Sequence, residues 1–277
     1  MKKRENRFIR GAKIGSGFVL GAFYLIPIVM LLSASFKTQK NIFKDILGFP
    51  DPLVLTNFSE AMERMEYGRA LFNSLFFTII STILIVVFAS MAAWVLVRYK
   101  TKMSNFIFTL FAISMLIPFQ CVMLPMMGIM GKLNMLNPGG LIFAYVGFGS
   151  ALSIMLLHGF IKGSIPVELE EAAVIDGCSM FGVYSKVVLP LLGPIITTVG
   201  ILNIMWIWND YLLPNLVIGS SVEWRTLPLK TFYFFGQFSS RWDYASAALI
   251  LSMLPIVIFY MFAQKKIIKG VIDGAIK

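Results

Sequence analysis

Six long apolar runs constrain this chain more than any other feature of its sequence. Crossing about 30 Å of hydrocarbon takes about 20 helical residues, and each run is long enough to do so. The runs are continuously apolar, without the alternation of lipid-facing and lumen-facing residues that marks a membrane barrel. They therefore predict an all-α membrane protein with six transmembrane helices. We place the spans near Ile14–Phe36, Leu71–Val97, Phe106–Met130, Leu141–Ile161, Val187–Tyr211 and Tyr244–Ala263.

The low charge of the chain excludes a water-soluble fold. Only 14% of its 277 residues are charged, against about a quarter in soluble domains. The net charge of +10 does not indicate nucleic-acid binding, because that function needs a solvated basic face with interleaved aromatic residues. Anionic lipid headgroups account for the basic flanks, so the lipid bilayer is the expected partner.

Lys and Arg in the flanks of the runs predict the orientation of the chain. With a cytoplasmic N-terminus, most of the 24 basic residues fall on the inner side, in the two termini and after the second and fourth runs. Both termini are therefore expected in the cytoplasm. The first run could instead be a signal peptide, but it exceeds the about 7–15 apolar residues usual in such peptides, which favours a retained span.

The loop 168–194, between the fourth and fifth runs, is rich in acids and strongly patterned. Three glutamates follow Pro166, as in the first turn of a helix, where proline fits and carboxylates favour the positive end of the dipole. Gly177 permits a turn with positive φ, and a second short helix is expected near Ser179–Val188. An anionic leaflet repels carboxylates, so this loop predicts a docking surface for another protein.

Short motifs along the chain resemble those of permeases of ATP-binding-cassette (ABC) importers. They are Glu171-Ala172-Ala173, Asp176-Gly177, Leu189-Pro190, Trp208-Asn209-Asp210-Tyr211, Arg225-Thr226-Leu227-Pro228-Leu229, Ala247-Ala248, Pro255, Gln264, Gly270 and Gly274-Ala275. With them the chain is similar to the smaller permease of carbohydrate importers such as the maltose, multiple-sugar and raffinose-type systems. The resemblance covers nearly the whole chain, although Cys178 stands where the family usually has alanine. It implies a type I ABC importer permease fold in one domain, 1–277, with a peripheral first span at 14–36 and a five-helix core at 67–264.

The resemblance also implies that the loop 162–186 carries a coupling helix, which docks on a separate ATPase. The residues that it assigns to this contact are Glu168, Glu171, Ala172, Ala173, Asp176 and Gly177. The chain lacks the G-x-x-x-x-G-K-[ST] cradle for nucleotide phosphates. We therefore expect no catalytic residue and no cofactor in this chain, with ATP and Mg²⁺ bound by the ATPase. One His and two Cys predict no metal site.

The expected partners follow from the same resemblance. They are a homologous second permease, two ATPase subunits, an extracellular or periplasmic solute-binding protein and a sugar. Closure of the ATPases would push the coupling helix and drive alternating access. The tail after Ala263 is expected to contact the ATPases as well, and the complex is expected in the plasma membrane of a bacterium or archaeon.

A substrate path is predicted where polar and aromatic residues interrupt the apolar runs. Sugars bind to aromatic faces and to a few polar groups in an apolar cleft. The candidates are Gln120, Asn203, Trp206, Trp208, Asn209, Asp210 and Tyr211. The cluster 206–211 fits an aromatic anchor at the outer interface equally well. The outer segment 215–243 fits either contact with the solute-binding protein or interfacial burial of its aromatic residues.

Two other functions stay open at this stage. The same scaffold imports other solutes, such as glycerol phosphate or peptides. An ion-coupled carrier is disfavoured, because such carriers hold ionisable residues within their spans and these spans are almost free of charge. A lone residue such as His158 is more typical of a structural group. By resemblance, the expected cargo is an oligosaccharide.

Overall fold

The computed structural model describes the backbone of residues 7–235 and 241–275 and the side chains of 13, 15–235 and 241–264. Within those ranges every secondary-structure element is helical, which confirms the predicted fold class. The α-helices are α1 Arg7–Ser35, α2 Gln39–Lys44, α3 Thr56–Arg64, α4 Tyr67–Arg98, α5 Lys102–Ser114, α6 Phe119–Lys132, α7 Pro138–Ser164, α8 Val167–Ile175, α9 Met180–Val183, α10 Leu189–Leu191, α11 Gly193–Asn209, α12 Leu212–Ile218, α13 Leu227–Thr231 and α14 Trp242–Ala275. A π-helix, Tyr184–Val188, joins α9 to α10, and 3-10 turns lie at Val222–Trp224 and Phe232–Phe234.

Parts of three predicted features lie outside the described residues. They are the basic N-terminus up to residue 6, residues 236–240 of the outer segment, and the last two residues of the C-terminal tail.

Four described helices are long and apolar enough to cross a membrane. They are Gly15–Ser35 within α1, α4, α7, and Trp242–Gln264 within α14. The third and fifth predicted runs are pairs of helices instead, α5 with α6 and Met180–Leu191 with α11, bent by 107° and 77°. The described chain thus has four continuous spans, or up to six if each bent pair is one span.

The bend between α5 and α6 has a local cause at Pro118. Proline has no backbone N–H, and it disfavours the helical conformation in the residue before it. The last turn of α5 closes with bonds from Leu116 N to Ile113 O at 2.9 Å and from Ile117 N to Ser114 O at 3.3 Å. Pro118 then begins α6 as its N-cap in an extended conformation. The apolar pattern of the sequence predicts the run but does not predict this break.

The second bend lies at Leu192, between α10 and α11. The N–H of Leu192 bonds to the carbonyl oxygens of Val188 and Leu189 at 3.0 and 3.2 Å. Pro194 occupies the first turn of α11, where the missing N–H leaves no intrahelical bond unmade. Proline therefore marks both breaks.

The chain forms two compact units. One comprises the residues up to Gly68 together with Lys230–Leu254. Within it, the buried ammonium of Lys37 donates to the carbonyl oxygens of Asp45 and Gly48 at 2.8 and 2.6 Å. These carbonyl oxygens take the place of the water molecules that would bind the ammonium if it were exposed, and so they offset the cost of burying it.

The other unit is Arg69–Leu229 with Pro255–Lys277, and its described residues include two apolar clusters. The first cluster packs α4 and α7 against α8, the π-helix and α11. The second packs α4, α6 and α7 against α11, α12 and α13. Ala89 and Ala93 of α4 are fully buried in the first cluster, and such small residues let helices approach closely in a membrane.

Candidate functional site

The acidic segment, residues 165–192, holds two short helices joined by a tight turn. Pro166 is the N-cap of α8 rather than a residue of its first turn. Gly177 has a φ of 83°, in the left-handed region that glycine enters without a steric penalty. The N–H of Cys178 bonds back to the carbonyl oxygen of Ala173 at 3.0 Å. The predicted turn at Gly177 and the second helix after it are confirmed.

One face of α8 is exposed and the other is buried. Of the six predicted coupling residues, the exposed ones are Glu168, Glu171, Ala172, Asp176 and Gly177. Ala173, predicted with them, is buried and packs into the first apolar cluster. The exposed face also carries Ile175, which is 85% exposed, and Val174, which is 57% exposed. Large apolar side chains among carboxylates are typical of a surface that another protein covers.

Glu170 is a site residue to which the sequence alone assigned no role. It is buried on the inner face of α8. Its Oε2 accepts a hydrogen bond from Trp94 Nε1 at 2.9 Å, and its Oε1 accepts bonds from Arg98 Nε at 2.9 Å and Nη2 at 2.6 Å. Arg98 Nη2 also donates to the carbonyl oxygen of Ile165 at 2.9 Å. Glu170 lies three residues before Ala173, so the two share a helix face, but the burial of that face is visible only in the structure.

The predicted substrate-path residue Asn203 is engaged inside the protein. It is buried, and its Nδ2 donates to Ser153 Oγ at 3.0 Å and to the carbonyl oxygen of Val199 at 2.9 Å. Its amide therefore joins α11 to α7. Trp208, another candidate, is also buried.

Two further candidates meet at one tyrosine of α7. Asp210 accepts hydrogen bonds from the N–H groups of Leu212 at 3.0 Å and Leu213 at 3.4 Å, and its carboxylate lies near the hydroxyl of Tyr145. Trp206, which is 41% exposed, packs edge-on against the Tyr145 ring at 5.5 Å. Asp210 thus fixes the turn between α11 and α12, which lies beside Tyr145 of α7.

The other candidates lie apart from Tyr145. Tyr211 packs against the second apolar cluster. Asn209 is exposed, and its Nδ2 donates to the carbonyl oxygen of Met205 at 2.7 Å. Gln120 is exposed near the start of α6. Of the seven candidates, Gln120, Trp206 and Asn209 are the ones with exposed side chains.

An open apolar groove of about 730 Å³ is lined by the bent pair α5–α6 and by α7. Met126 and Phe148 are among its lining residues, and Ser114 is the one described lining residue with a hydroxyl, amide or charged side chain. No substrate-path candidate in the described part of the chain lines this groove. A groove with so few polar groups does not fit a sugar.

Comparison with known proteins gives the class. Residues 85–273 match the family described as binding-protein-dependent transport system inner membrane component. The chain is 46% identical over 261 residues to the probable starch degradation products transport system permease protein AmyC of Thermoanaerobacterium thermosulfurigenes, and the match covers 94% of each chain. It is 33% identical over 281 residues to the multiple sugar-binding transport system permease protein MsmG of Streptococcus mutans, covering 100% of each. It is 34% identical over 260 residues to the melibiose/raffinose/stachyose import permease protein MelC of Bacillus subtilis, covering 94% of each.

A solved structure has the same fold. It is the crystal structure of a bacterial ABC transporter involved in the import of the acidic polysaccharide alginate. The TM-score is 0.80 at 20% sequence identity, and the match covers 95% of this chain and 99% of that chain. The chain belongs to the family of inner membrane components of binding-protein-dependent transport systems. It is the permease subunit of an ABC importer and not a catalytic enzyme, as the motifs predict.

Proposed function

We propose that this permease imports a neutral oligosaccharide, driven by ATP hydrolysis on separate ATPase subunits. The named relatives are described as permeases for starch degradation products, for multiple sugars and for melibiose, raffinose and stachyose. The exposed candidates Gln120, Trp206 and Asn209 offer an aromatic ring and two amides but no charge. That chemistry suits neutral sugars.

The observation that carries the coupling role is the exposed face of α8. Carboxylates surround apolar side chains there, so the face is suited to a protein partner with a basic rim. In our proposal this face lies in the cytoplasm with both termini and contacts the ATPase through the following residues: Glu168, Glu171, Ala172, Asp176 and Gly177. Ala173 supports the contact from behind, and ATP and Mg²⁺ bind to the ATPase.

The working importer contains this chain, a homologous second permease, two ATPase subunits and a solute-binding protein. This chain contributes one permease domain, 1–277, with a first span at 14–36 and a core at 67–264. Tyr233, which is 68% exposed, lies in the outer segment and is suited to contact the solute-binding protein.

ATP-dependent uptake tests the substrate class. The complete complex is purified from its native host through a tag on this chain and reconstituted in proteoliposomes with the co-purified binding protein. Labelled maltotriose, raffinose and arabinotriose are compared with glycerol 3-phosphate and a tripeptide. We expect uptake of at least one of the three sugars, and only when the proteoliposomes are supplied with ATP. Uptake confined to glycerol 3-phosphate or the peptide, or driven by an ion gradient without ATP, would reject the proposal.

Replacing Glu171 with alanine tests the coupling role in the same assay. The side chain is exposed, so its truncation should change stability by less than about 0.5 kcal/mol and leave the chain in the membrane. Losing one partner of a desolvated charge pair at the ATPase contact costs about 2–5 kcal/mol of association. We therefore expect Glu171→Ala to lose co-purifying ATPase and ATP-driven uptake. Glu63→Ala, which truncates an exposed acid of α3, is the matched control, and wild-type uptake by Glu171→Ala would contradict the assignment.

A further inference from the structure

Three residues of α4 form a stripe that contacts the acidic segment. Ser90, Trp94 and Arg98 are four residues apart, so they share one face of the helix. We call them the 90/94/98 stripe. Trp94 and Arg98 bind Glu170 of α8, and Ser90 binds Tyr184 of the π-helix at 2.7 Å between the two hydroxyl oxygens.

The buried carboxylate of Glu170 has hydrogen-bond donors for both of its oxygens. The side chains of Glu170 and Arg98 are only 9% and 18% exposed. Removing a carboxylate and a guanidinium from water is costly unless their geometry satisfies both groups. Two N–H groups of the guanidinium converge on Oε1, while the indole N–H of Trp94 binds Oε2. Charge-assisted hydrogen bonds to a planar guanidinium fix direction as well as distance, so Glu170 fixes how α8 is oriented on α4.

The second contact holds the other end of the acidic segment. Ser90 Oγ donates its proton to the carbonyl oxygen of Val87 at 3.0 Å, which leaves the Tyr184 hydroxyl as the donor to Ser90. The Tyr184 ring packs against Trp94 with centroids 5.5 Å apart. Trp94 therefore touches both attachment points, one through its N–H and one through its ring.

The connections of α8 along the chain are less direct. On one side Ile165, in an extended conformation, and Pro166 separate α8 from α7. On the other side the turn at Gly177, the π-helix and the 77° bend intervene before α11. A force on α8 meets breaks in both directions along the backbone, whereas its lateral contact with α4 is a buried ion pair.

From this geometry we infer that Arg98, Trp94 and Glu170 are positioning residues, through which α8 and α4 move as one body. This inference rests on the proposed coupling function and adds to it the route of transmission. A push from the ATPase on the exposed face of α8 reaches the transmembrane region first through the Arg98 end of α4. The push reaches α7 and α11, the neighbours of α8 along the chain, only after α4.

Hydrogen–deuterium exchange on the chain alone, in lipid nanodiscs, tests the attachment. Arg98→Gln removes the ion pair, and Lys100→Gln is the matched control because it removes one exposed positive charge two residues beyond the end of α4. A hydrogen bond to a charged group corresponds to about tenfold or more in an equilibrium constant. We expect the amides of 167–176 to exchange about tenfold faster in Arg98→Gln and at the wild-type rate in Lys100→Gln. Equal rates in wild type and Arg98→Gln would overturn the inference, whatever the chain couples to.

A second measurement separates transmission from a merely structural role. In the complete complex, Mg-ATP with orthovanadate traps the ATPases, and exchange is compared with the nucleotide-free complex in both α8 and residues 90–98 of α4. In wild type and Lys100→Gln we expect trapping to change exchange in both helices. In Arg98→Gln the response should persist in α8 and vanish in α4, and an unchanged response in α4 would overturn the inference.

Milder variants keep the test decisive if Arg98→Gln fails to insert. Glu170→Gln preserves shape and the acceptor for Trp94 while it removes the charge that Arg98 binds. Tyr184→Phe removes only the hydroxyl that binds Ser90. Both should lose part of the α4 response, and the double variant should lose less than the sum of the two, because the groups act through one contact. Wild-type responses in both would overturn the inference, and a wild-type chain that retains no ATPase would reject the proposed function instead.

Discussion

At the scale of single residues, polar groups in this membrane protein are used to lock helices together. Asn203 of α11 holds Ser153 of α7, and the Ser153 hydroxyl in turn donates to the carbonyl oxygen of Gly149 at 2.7 Å. Gly149 is the point of closest approach, since a Cβ there would lie 2.5 Å from Ile85 Cδ1 and 2.8 Å from Asn203 Oδ1. The absence of a side chain at Gly149 is what lets α4, α7 and α11 meet.

Gly149→Ala should destabilise this packing. Overpacking a buried site costs about 1–3 kcal/mol, because Ile85 and the Asn203 amide must both shift. Gly147→Ala is the matched control on the same helix, since a Cβ there meets nothing within 4 Å. Thermal unfolding in detergent should show a lower midpoint for Gly149→Ala alone. Equal midpoints for the two variants would show that the helices do not approach as closely as described.

Features of the acidic segment could be predicted from the sequence where they depend on residues close together in the chain. The turn at Gly177 follows from local backbone chemistry, and its positive φ is observed. Glu170 could not be distinguished from Glu168 or Glu171, because its partners Trp94 and Arg98 lie more than 70 positions away. The sequence likewise predicts Asn203 as a solute ligand, because its hydrogen-bond partner Ser153 lies 50 positions away and is brought close only by the fold.

At the scale of elements, the end of α4 opposite Arg98 anchors the segment 219–229. Asn73 Nδ2 donates to the carbonyl oxygens of Glu223 at 2.8 Å and Arg225 at 3.1 Å. Ser74 Oγ accepts a bond from the N–H of Leu227 at 2.8 Å. A stretch with only a short 3-10 turn and the start of α13 is thus ordered by two adjacent side chains of a long helix.

Asn73→Ala should loosen that segment. Two carbonyl oxygens lose their donor, and a buried group without a partner costs about 1–3 kcal/mol. Hydrogen exchange at 222–229 should therefore rise. Ser81→Ala on the same helix is the control, because Ser81 Oγ is buried without a hydrogen-bond partner among the described residues, so its removal should leave stability unchanged or raise it. Unchanged exchange in Asn73→Ala would contradict the anchoring role.

The spans themselves were predictable from apolarity, and their breaks were not. All six predicted runs correspond to described helical regions. A run of about 20 apolar residues in lipid forms a helix because the helix satisfies its backbone hydrogen bonds within the run. Whether a run is straight depends on one or two residues that a hydropathy average ignores. Pro118 and Pro194 were present in the third and fifth runs, and each lies next to a bend.

At the scale of the whole molecule, the chain combines a helical membrane body with one acid-rich exposed face. The body defines a permease of the binding-protein-dependent family. In our proposal, the face on α8 is where this chain, which lacks a nucleotide cradle, receives energy from ATP hydrolysis on its partner. The central claim is therefore that this face docks on a nucleotide-binding protein in the cytoplasm.

Photo-crosslinking from α8 tests that claim most directly. A photoreactive amino acid replaces Ile175, which is 85% exposed, and a control chain carries it at Ile83, which is 53% exposed in the middle of α4. Both are expressed in the native host, irradiated in whole cells and analysed by mass spectrometry. We predict that position 175, and not position 83, crosslinks to a protein that carries the G-x-x-x-x-G-K-[ST] motif. Crosslinks from position 175 to the solute-binding protein, or to lipid alone, would contradict the account.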